Sequence, residues 1–222
     1  MLRNWIESNR GFVVLLLCFG IFRTAVADWN PIPSGSMRPT LLEGDVVFVN
    51  RLAYDVKLPL TDVVLLPLGE PQRGDVVTFS SPQDGTRLIK RIAAVPGDRV
   101  EMRNEVLYIN GQAAQYDAPE VVQEAVGVGA TVQATRWTER LGGHERRVQW
   151  LHGVPARSTF DAIDVPAGQY LMLGDNRDDS VDSRYIGLVP RHLLIGQARR
   201  VLVSADILGH WAPRLQRMGL PL

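Results

Sequence analysis

The chain has 222 residues, 45% of them apolar, and its 24 Lys plus Arg balance 24 Asp plus Glu to a formal net charge of zero. This balance argues against a nucleic-acid binder with a basic surface, while the length suffices for one sizeable core or a core with an inserted subdomain. A single cysteine, Cys18, excludes a disulfide within the chain, and the four histidines lack metal-ligand spacing, so we expect no metal and no cofactor.

The first predicted element is an apolar segment, residues 11–27, which follows a short stretch containing two arginines. It lies at the short limit for a transmembrane helix. The preceding arginines predict that residues 1–10 are cytoplasmic and that the chain after residue 27 lies outside. A cleavable secretory signal ending at Ala25-Val26-Ala27 is the alternative. Both interpretations place the body of the protein outside the cytoplasmic membrane.

Residues 33–42 read P-S-G-S-M-R-P-T-L-L and place Ser34 and Ser36 on either side of Gly35. The glycine and the flanking prolines favour a bent, poorly helical backbone, on which a nucleophilic serine is commonly presented. A serine of this kind needs a base, and its neighbour could donate to an oxyanion. A stiff linker between an anchor and a domain has the same composition.

From residue 44 onward the sequence favours β structure. Short runs of β-branched and aliphatic residues between turn residues predict strands at 46–50, 76–80, 88–95, 100–103, 106–109, 170–173 and 194–203. Asn110-Gly111 is a hairpin signal, and no segment in this part has a convincing helical period. We therefore expect a mainly β fold, a barrel or sandwich formed by residues 28–111 and 165–222.

The run 63–68 reads V-V-L-L-P-L and is too short and too interrupted by proline to span a membrane. We expect it to belong to the core. An interfacial patch beside the anchor, extended by Leu208 and Trp211, is the alternative.

Residues 112–164 are more polar and contain several glycines, among them the pair Gly142-Gly143. A hairpin is predicted at Gly142-Gly143, with a short strand at 148–151. We interpret this stretch as an inserted β subdomain with a structural or positioning role. Contact with a substrate or partner is the alternative.

Lysine is rare in this chain: of the 24 Lys plus Arg residues, only Lys57 and Lys90 are lysines. Strand alternation places Lys90 on one face with Leu88, Ile92 and Ala94, whereas Arg91 points the other way, toward solvent. Burial among apolar neighbours would lower the lysine pKa from about 10.4 toward about 8 and make it a general base. A lysine whose ammonium escapes at a sheet edge is the alternative.

Residues 174–185 read G-D-N-R-D-D-S-V-D-S-R-Y and follow an apolar strand. A calcium loop does not fit, because the turn glycine and the final bidentate glutamate are missing. Asp182 and Arg184 are spaced to pair along one side of an extended segment. Ser180 lies on the same side and could hold a neutral lysine amine.

With Ser36 in P-S-G-S-M-R-P-T-L, Lys90 in I-K-R-x-x-x-x-P-G-D and this polar loop in that order, the chain resembles the bacterial type I signal peptidases, or leader peptidases. The resemblance covers nearly the whole chain after residue 12. The chain departs from some members in having a single N-terminal apolar segment, and its insertion lacks cysteines.

The resemblance implies a serine endopeptidase in which Ser36 attacks the scissile carbonyl and Lys90 takes its proton and later activates the deacylating water. The Ser36 N–H and the Ser34 hydroxyl would hold the oxyanion. Ser180 would orient Lys90, and Asp182 with Arg184 would brace the loop. Shallow apolar pockets for small residues at −1 and −3 have three candidates by motif position, Ile32, Met37 and Ile89.

The resemblance also implies a single-pass protein of the bacterial cytoplasmic (inner) membrane, with the catalytic domain on the outer face. Its partners would be signal peptides of exported preproteins and the lipid bilayer, with no nucleic acid, and we expect a monomer. One alternative is a Ser/Lys processing protease with a single substrate such as a pilin, or one of the self-cleaving repressor type. The other is a non-catalytic, membrane-tethered β binding domain.

Overall fold

The computed structural model describes residues 5, 8–58, 61, 63–126 and 129–222. Its helices are α1 (Arg10–Ala25) and α2 (Ser183–Ile186). Its strands are β1 (Ala27–Pro31), β2 (Asp45–Asn50), β3 (Asp55–Lys57), β4 (Val64–Pro67), β5 (Val76–Ser80), β6 (Arg87–Ala94), β7 (Arg99–Arg103), β8 (Val106–Ile109), β9 (Gln112–Ala113), β10 (Gln115–Ala125), β11 (Thr131–Leu141), β12 (His144–Leu151), β13 (Phe160–Asp164), β14 (Gln169–Leu173), β15 (Val189–Pro190) and β16 (Leu194–Ser204). The expected mainly β fold is confirmed.

Helix α1 is apolar, and its side chains are largely exposed. Its last turns contact β1, where the ring centroids of Phe19 and Trp29 are 5.8 Å apart and the Arg23 guanidinium lies 4.5 Å from the Trp29 ring. Within the described part of the chain, no helix has both the length and the apolar character needed to cross a membrane. The segment predicted as a span, 11–27, ends in a strand, because Ala27 pairs with Asn50.

The predicted cytoplasmic segment, 1–10, lies mostly outside the described residues.

A seven-stranded sheet forms the centre of the molecule, in the order β1-β2-β16-β5-β6-β14-β15. Its apolar side chains are buried in neighbouring clusters, because alternation along each strand sends every second residue into the core. The first cluster contains Ile32, Met37, Leu41, Val47, Val49, Val76, Ala198 and Val201. The second contains Tyr54, Val77, Phe79, Ile92, Tyr170, Met172, Ile186, Val189 and Leu194. The strands predicted in this sheet are confirmed, with small changes at their ends.

Two further sheets extend from the central one, in the orders β13-β7-β8-β9 and β10-β11-β12. Both predicted hairpins are confirmed: Asn110-Gly111 joins β8 to β9, and Gly142-Gly143 joins β11 to β12. Asn110 and Gly111 both have positive φ, at 52° and 79°, as a type I′ turn requires. The sheet that contains β13 uses strands from both sides of residue 112, and the domain boundaries at 112 and 164 stay a prediction.

The apolar run 63–68 is not in the core, so that expectation was wrong. Among the described residues, strand β4 pairs only with β3, and its four residues are exposed. Leu65 and Leu66 are 59% and 55% exposed. A two-stranded ribbon that leaves the main sheet has no neighbouring layer to cover its apolar face.

Candidate active site

Ser36 lies in a short 3₁₀ turn, Gly35–Met37, that follows β1. The turn is fixed on one side by Met37, which is completely buried, and on the other by backbone hydrogen bonds between Ile32 and the start of β2. Ser36 itself is 7% exposed. The bent backbone predicted from the proline and glycine pattern therefore places the serine at the edge of the core.

Lys90 contacts this serine from the middle of β6. Its Nζ donates to Ser36 Oγ at 2.6 Å, and the lysine is only 3% exposed. Burial lowers the Lys90 pKa to about 8, against the opposing charges of Asp182 and Asp175. A buried amine with this pKa can release its proton near neutral pH and then accept the proton of the serine hydroxyl.

The other lysine has a structural position. Lys57 Nζ donates to the backbone carbonyls of His192 at 2.7 Å and Leu194 at 2.6 Å. Lys57 thus ties β3 to the start of β16.

A cavity of about 380 Å³ opens onto the Ser36–Lys90 pair. Ser34 lies at its edge, where its hydroxyl donates to Ser36 Oγ at 3.4 Å. The lining residues are Ser34, Ser36, Leu88, Lys90, Asp178, Asp179, Ser180, Val181 and Tyr185. This cavity, named here the catalytic cavity, thus joins the serine motif, the lysine strand and the polar loop.

Ser180 lies in the catalytic cavity beside Gly174. Its hydroxyl is buried and has no hydrogen-bond partner among the described residues, so the expected contact with Lys90 is not formed. A Cβ on Gly174 would lie 2.2 Å from Ser180 Oγ and 2.5 Å from the Ser36 carbonyl oxygen. Only glycine at position 174 allows the segments that carry Ser36 and Ser180 to approach the backbone this closely.

Asp182 fixes the end of the polar loop. It caps helix α2 by accepting from the Arg184 backbone N–H, and its carboxylate also accepts from the Arg184 guanidinium at 2.9 Å and from Gly174 N at 2.9 Å. The expectation of an extended segment here was wrong, because a helical turn begins after Asp182. The Asp182–Arg184 pair is fully enclosed, and the Arg184 guanidinium also donates to the carbonyl of Arg177.

The three candidates for substrate pockets do not line the catalytic cavity. Ile32 and Met37 are 2% and 0% exposed and belong to the apolar cluster beneath β1 and β2, and Ile89 packs against that cluster. Ile32 and Met37 lie near Ser36 in sequence, whereas Ile89 precedes Lys90 on β6, and the cluster brings the three together. Their contact with substrate stays a prediction.

Arg91 does not face solvent, so this expectation was also wrong. It is 8% exposed and pairs with Asp175, with donor–acceptor distances of 2.9 Å from Nε and 2.7 Å from Nη2. The polar loop turns back over β6 and supplies the carboxylate. The pair attaches the beginning of this loop to the strand that carries Lys90.

A buried ionic network that the sequence did not reveal joins the insertion to the loop. Glu139 of β11 accepts from Arg177 of the loop at 2.5 Å and from Arg146 of β12 at 2.6 Å. Burial opposes its ionisation, but the two guanidiniums outweigh this effect and lower the Glu139 pKa to about 2. The loop sequence contains Arg177, but its partner is far away in the chain.

Further contacts hold the same segments together. Asn176 forms a parallel bridge with Gln149 of β12, and it donates to the carbonyls of Gly35 and Ser36 at 3.1 Å and 3.2 Å. Arg38, just after the serine turn, pairs with Glu124 of β10. The insertion is therefore attached to two of the three segments that form the catalytic cavity, the serine turn and the polar loop.

Comparison with known proteins adds independent information. The family model described as signal peptidase, peptidase S26, matches residues 2–203. The signal peptidase I of Pseudomonas aeruginosa is 36% identical over 90% of this chain and 72% of that protein. The signal peptidase I of Pseudomonas fluorescens is 34% identical, covering 97% and 78%, and that of Rickettsia prowazekii is 31% identical, covering 93% and 86%. A solved signal peptidase I from Enterococcus faecalis V583 superposes with a TM-score of 0.34 at 30% identity, covering 58% of this chain and 96% of that chain.

Proposed function

Because the chain belongs to the signal peptidase family, peptidase S26, and is therefore a peptidase, we propose that it cleaves signal peptides from exported preproteins with a Ser36/Lys90 dyad. The observation that carries the proposal is the 2.6 Å contact between Lys90 Nζ and Ser36 Oγ inside a buried site. Hydrogen-bond reach between a nucleophile and a base with a lowered pKa is what proton transfer requires.

In the proposed reaction, neutral Lys90 accepts the Ser36 proton as Oγ attacks the carbonyl carbon. The Ser36 N–H and the Ser34 hydroxyl stabilise the developing oxyanion. Lys90 then protonates the leaving amine, and the acyl-enzyme is hydrolysed by a water that Lys90 activates. A small rotation of Ser180 toward the Lys90 amine would satisfy its unpartnered hydroxyl and orient the base.

The substrate would bind as an extended strand beside β1 and β6, through backbone pairing. Its −1 and −3 side chains would point toward the cluster that contains Ile32, Met37 and Ile89. These walls are tightly packed, so a small side chain fits with little displacement whereas a large one requires the core to open. The expected specificity is therefore for small residues at both positions.

We also propose that segment 11–27 anchors the protein to the cytoplasmic membrane, with the catalytic domain on the outer face. The exposed apolar side chains of α1 support this role, as do those of β4. Trp211, which is 71% exposed, is a candidate for the membrane interface. Contact with the bilayer would remove these apolar side chains from water, where their exposure is unfavourable.

The proposed base predicts a pH dependence. Protonated Lys90 cannot accept a proton, and its pKa is about 8, so kcat/KM should fall about tenfold per pH unit below pH 8 and level off above it. The measurement uses a peptide without titratable groups near the cut, between about pH 6 and pH 9. Circular dichroism over the same range separates loss of activity from loss of fold. A rate that does not change below pH 8 would contradict a lysine base.

The proposed activity is tested with the full chain in detergent and a preprotein that carries an Ala-x-Ala cleavage site. We expect one cut, after the second alanine, and no cut when tryptophan replaces either alanine. The Ser36→Ala protein is the control and should leave the preprotein intact. Cleavage that ignores both substitutions would contradict the specificity, and cleavage of one preprotein only would favour a dedicated processing enzyme.

A further inference from the structure

A second, larger cavity lies beside the catalytic cavity and is not used by the proposed reaction. Its volume is about 770 Å³. Thr135 and Trp150 are register partners on β11 and β12, so with Trp137 they share one face of that sheet. The lining includes Glu105, Thr135, Trp137, Trp150, Leu151 and Asp178. We name it the aromatic cavity.

The charged side chains of the aromatic cavity are carboxylates. No lysine or arginine is among its lining residues, and within the described ranges neither Glu105 nor Asp178 forms an ion pair. Burial raises the Asp178 pKa, and the negative charge of Glu105 adds to the rise. The lining therefore carries two carboxylates and no lysine or arginine, while the charges of Arg184 and Arg177 also act on Asp178.

The aromatic rings add to this preference, because the face of an indole attracts a cation. Trp150 already has the Arg177 guanidinium at 5.5 Å from its ring. In the described part of the chain no cation lies over Trp137, which is partly exposed. Trp137 is therefore the indole whose face is available to a cationic ligand.

Glu105 lies in a backbone conformation that glutamate rarely adopts. It follows Asn104 in the turn between β7 and β8, and their φ angles are 72° and 47°. Glycine is preferred at the second position of such a turn, because a side chain there strains the backbone. The glutamate is thus unfavourable for the turn itself but adds a carboxylate to the cavity edge.

The aromatic cavity adjoins the catalytic cavity through a shared residue. Asp178 lines both, and its carboxylate accepts from Leu151 N at 2.8 Å. The candidate −1 and −3 contacts lie in the cluster beneath β1 and β2, whereas Asp178 contacts the insertion at Leu151 of β12. A bound chain that passes Ser36 would therefore enter the aromatic cavity with the residues that follow the cut.

We propose that the aromatic cavity binds a basic side chain of the substrate, lysine or arginine, a few residues downstream of the scissile bond. Glu105 and Asp178 pair with the cation, and Trp137 packs against it. This inference rests on the proposed peptidase function and assigns the insertion a part in substrate recognition.

The test compares peptides that share one Ala-x-Ala cleavage site and differ by a single Lys, Gln or Glu downstream. The substitution is moved through about five consecutive positions, which cover roughly 17 Å of extended chain. At one or two neighbouring positions we expect kcat/KM to be about fivefold higher for Lys than for Gln, and lowest for Glu. The preference should disappear in Glu105→Gln and weaken in Trp137→Leu.

Asp161→Asn is the matched control, since Asp161 is an exposed carboxylate outside the cavity. It should keep both the preference for Lys and the rate of cleavage of the Gln peptide. Equal rates for Lys, Gln and Glu at every position would overturn the inference and leave the proposed function intact. A Lys preference that survives Glu105→Gln would also overturn it. No cleavage of any peptide would contradict the proposed function and, with it, this inference.

Discussion

Replacement of Lys90 with alanine is expected to lower kcat/KM by about 10⁴-fold or more, without loss of the fold. The substitution removes the amine that contacts Ser36 Oγ at 2.6 Å, and among the described residues that line the catalytic cavity there is no other amine. A serine hydroxyl without a base is a weak nucleophile. The measurement is kcat/KM for an Ala-x-Ala peptide, with thermal unfolding followed in parallel.

Two further lysine variants show whether the loss of activity in Lys90→Ala comes from the missing base, from the missing positive charge or from a loss of stability. Lys90→Arg keeps a cation but cannot supply a neutral base, so it should be as inactive as Lys90→Ala. Lys57→Ala removes hydrogen bonds to the carbonyls of His192 and Leu194. It should lower the melting temperature while the folded fraction keeps its cleavage rate. A Lys90→Ala protein with the wild-type rate would disprove the proposed mechanism.

Replacement of Glu139 with glutamine is expected to lower the free energy of unfolding by about 3–5 kcal/mol, because it leaves two buried guanidiniums without their counter-charge. Glu139 is 0% exposed and bonds to both Arg177 and Arg146. Since Arg177 belongs to the loop that forms the catalytic cavity, displacement of the loop by about 1 Å should also reduce kcat about 100-fold. Urea unfolding and steady-state kinetics measure the two effects.

Glu145→Gln is the matched control for this prediction. Glu145 also pairs with an arginine, Arg140, at 2.8 Å, but both side chains are exposed. An exposed pair contributes about 1 kcal/mol at most, so stability and rate should barely change. If Glu139→Gln behaved like Glu145→Gln, the insertion would not position the catalytic loop.

The local features of the site could be predicted from sequence because each depends on neighbours within a few residues. Strand alternation around Lys90 indicated burial on an apolar face, and the lysine is 3% exposed. The turn at Ser36 followed from proline and glycine. The contact between the two residues required the resemblance of three separated motifs, since no local rule joins residues 36 and 90.

Residues 112–164 were predicted to be β, but the extent of the long strands β10 and β11 was not, and the physical reason is their setting. They form a ribbon with β12 that is exposed over much of its length, so their sequences contain many polar and charged residues. Hydrophobic alternation is weak where neither face is fully buried. Cross-strand ion pairs such as Arg140–Asp117 support this ribbon.

Arg91 and the run 63–68 show that composition alone does not predict which side chains are buried. Arg91 is buried because Asp175, distant in sequence, supplies a bidentate partner. The apolar run is exposed because its ribbon leaves the main sheet. In both cases burial depends on tertiary neighbours that composition does not specify.

The most direct test of the dyad is covalent labelling of the protein with an acylating penem, followed by mass spectrometry of its peptides. We expect one adduct, on the peptide that contains Ser36. The rate of its formation should rise with pH along a titration curve whose midpoint lies near pH 8, and the adduct should be absent in Lys90→Ala. An adduct on another residue, or labelling of Ser36 that is unchanged in Lys90→Ala, would contradict the proposed dyad.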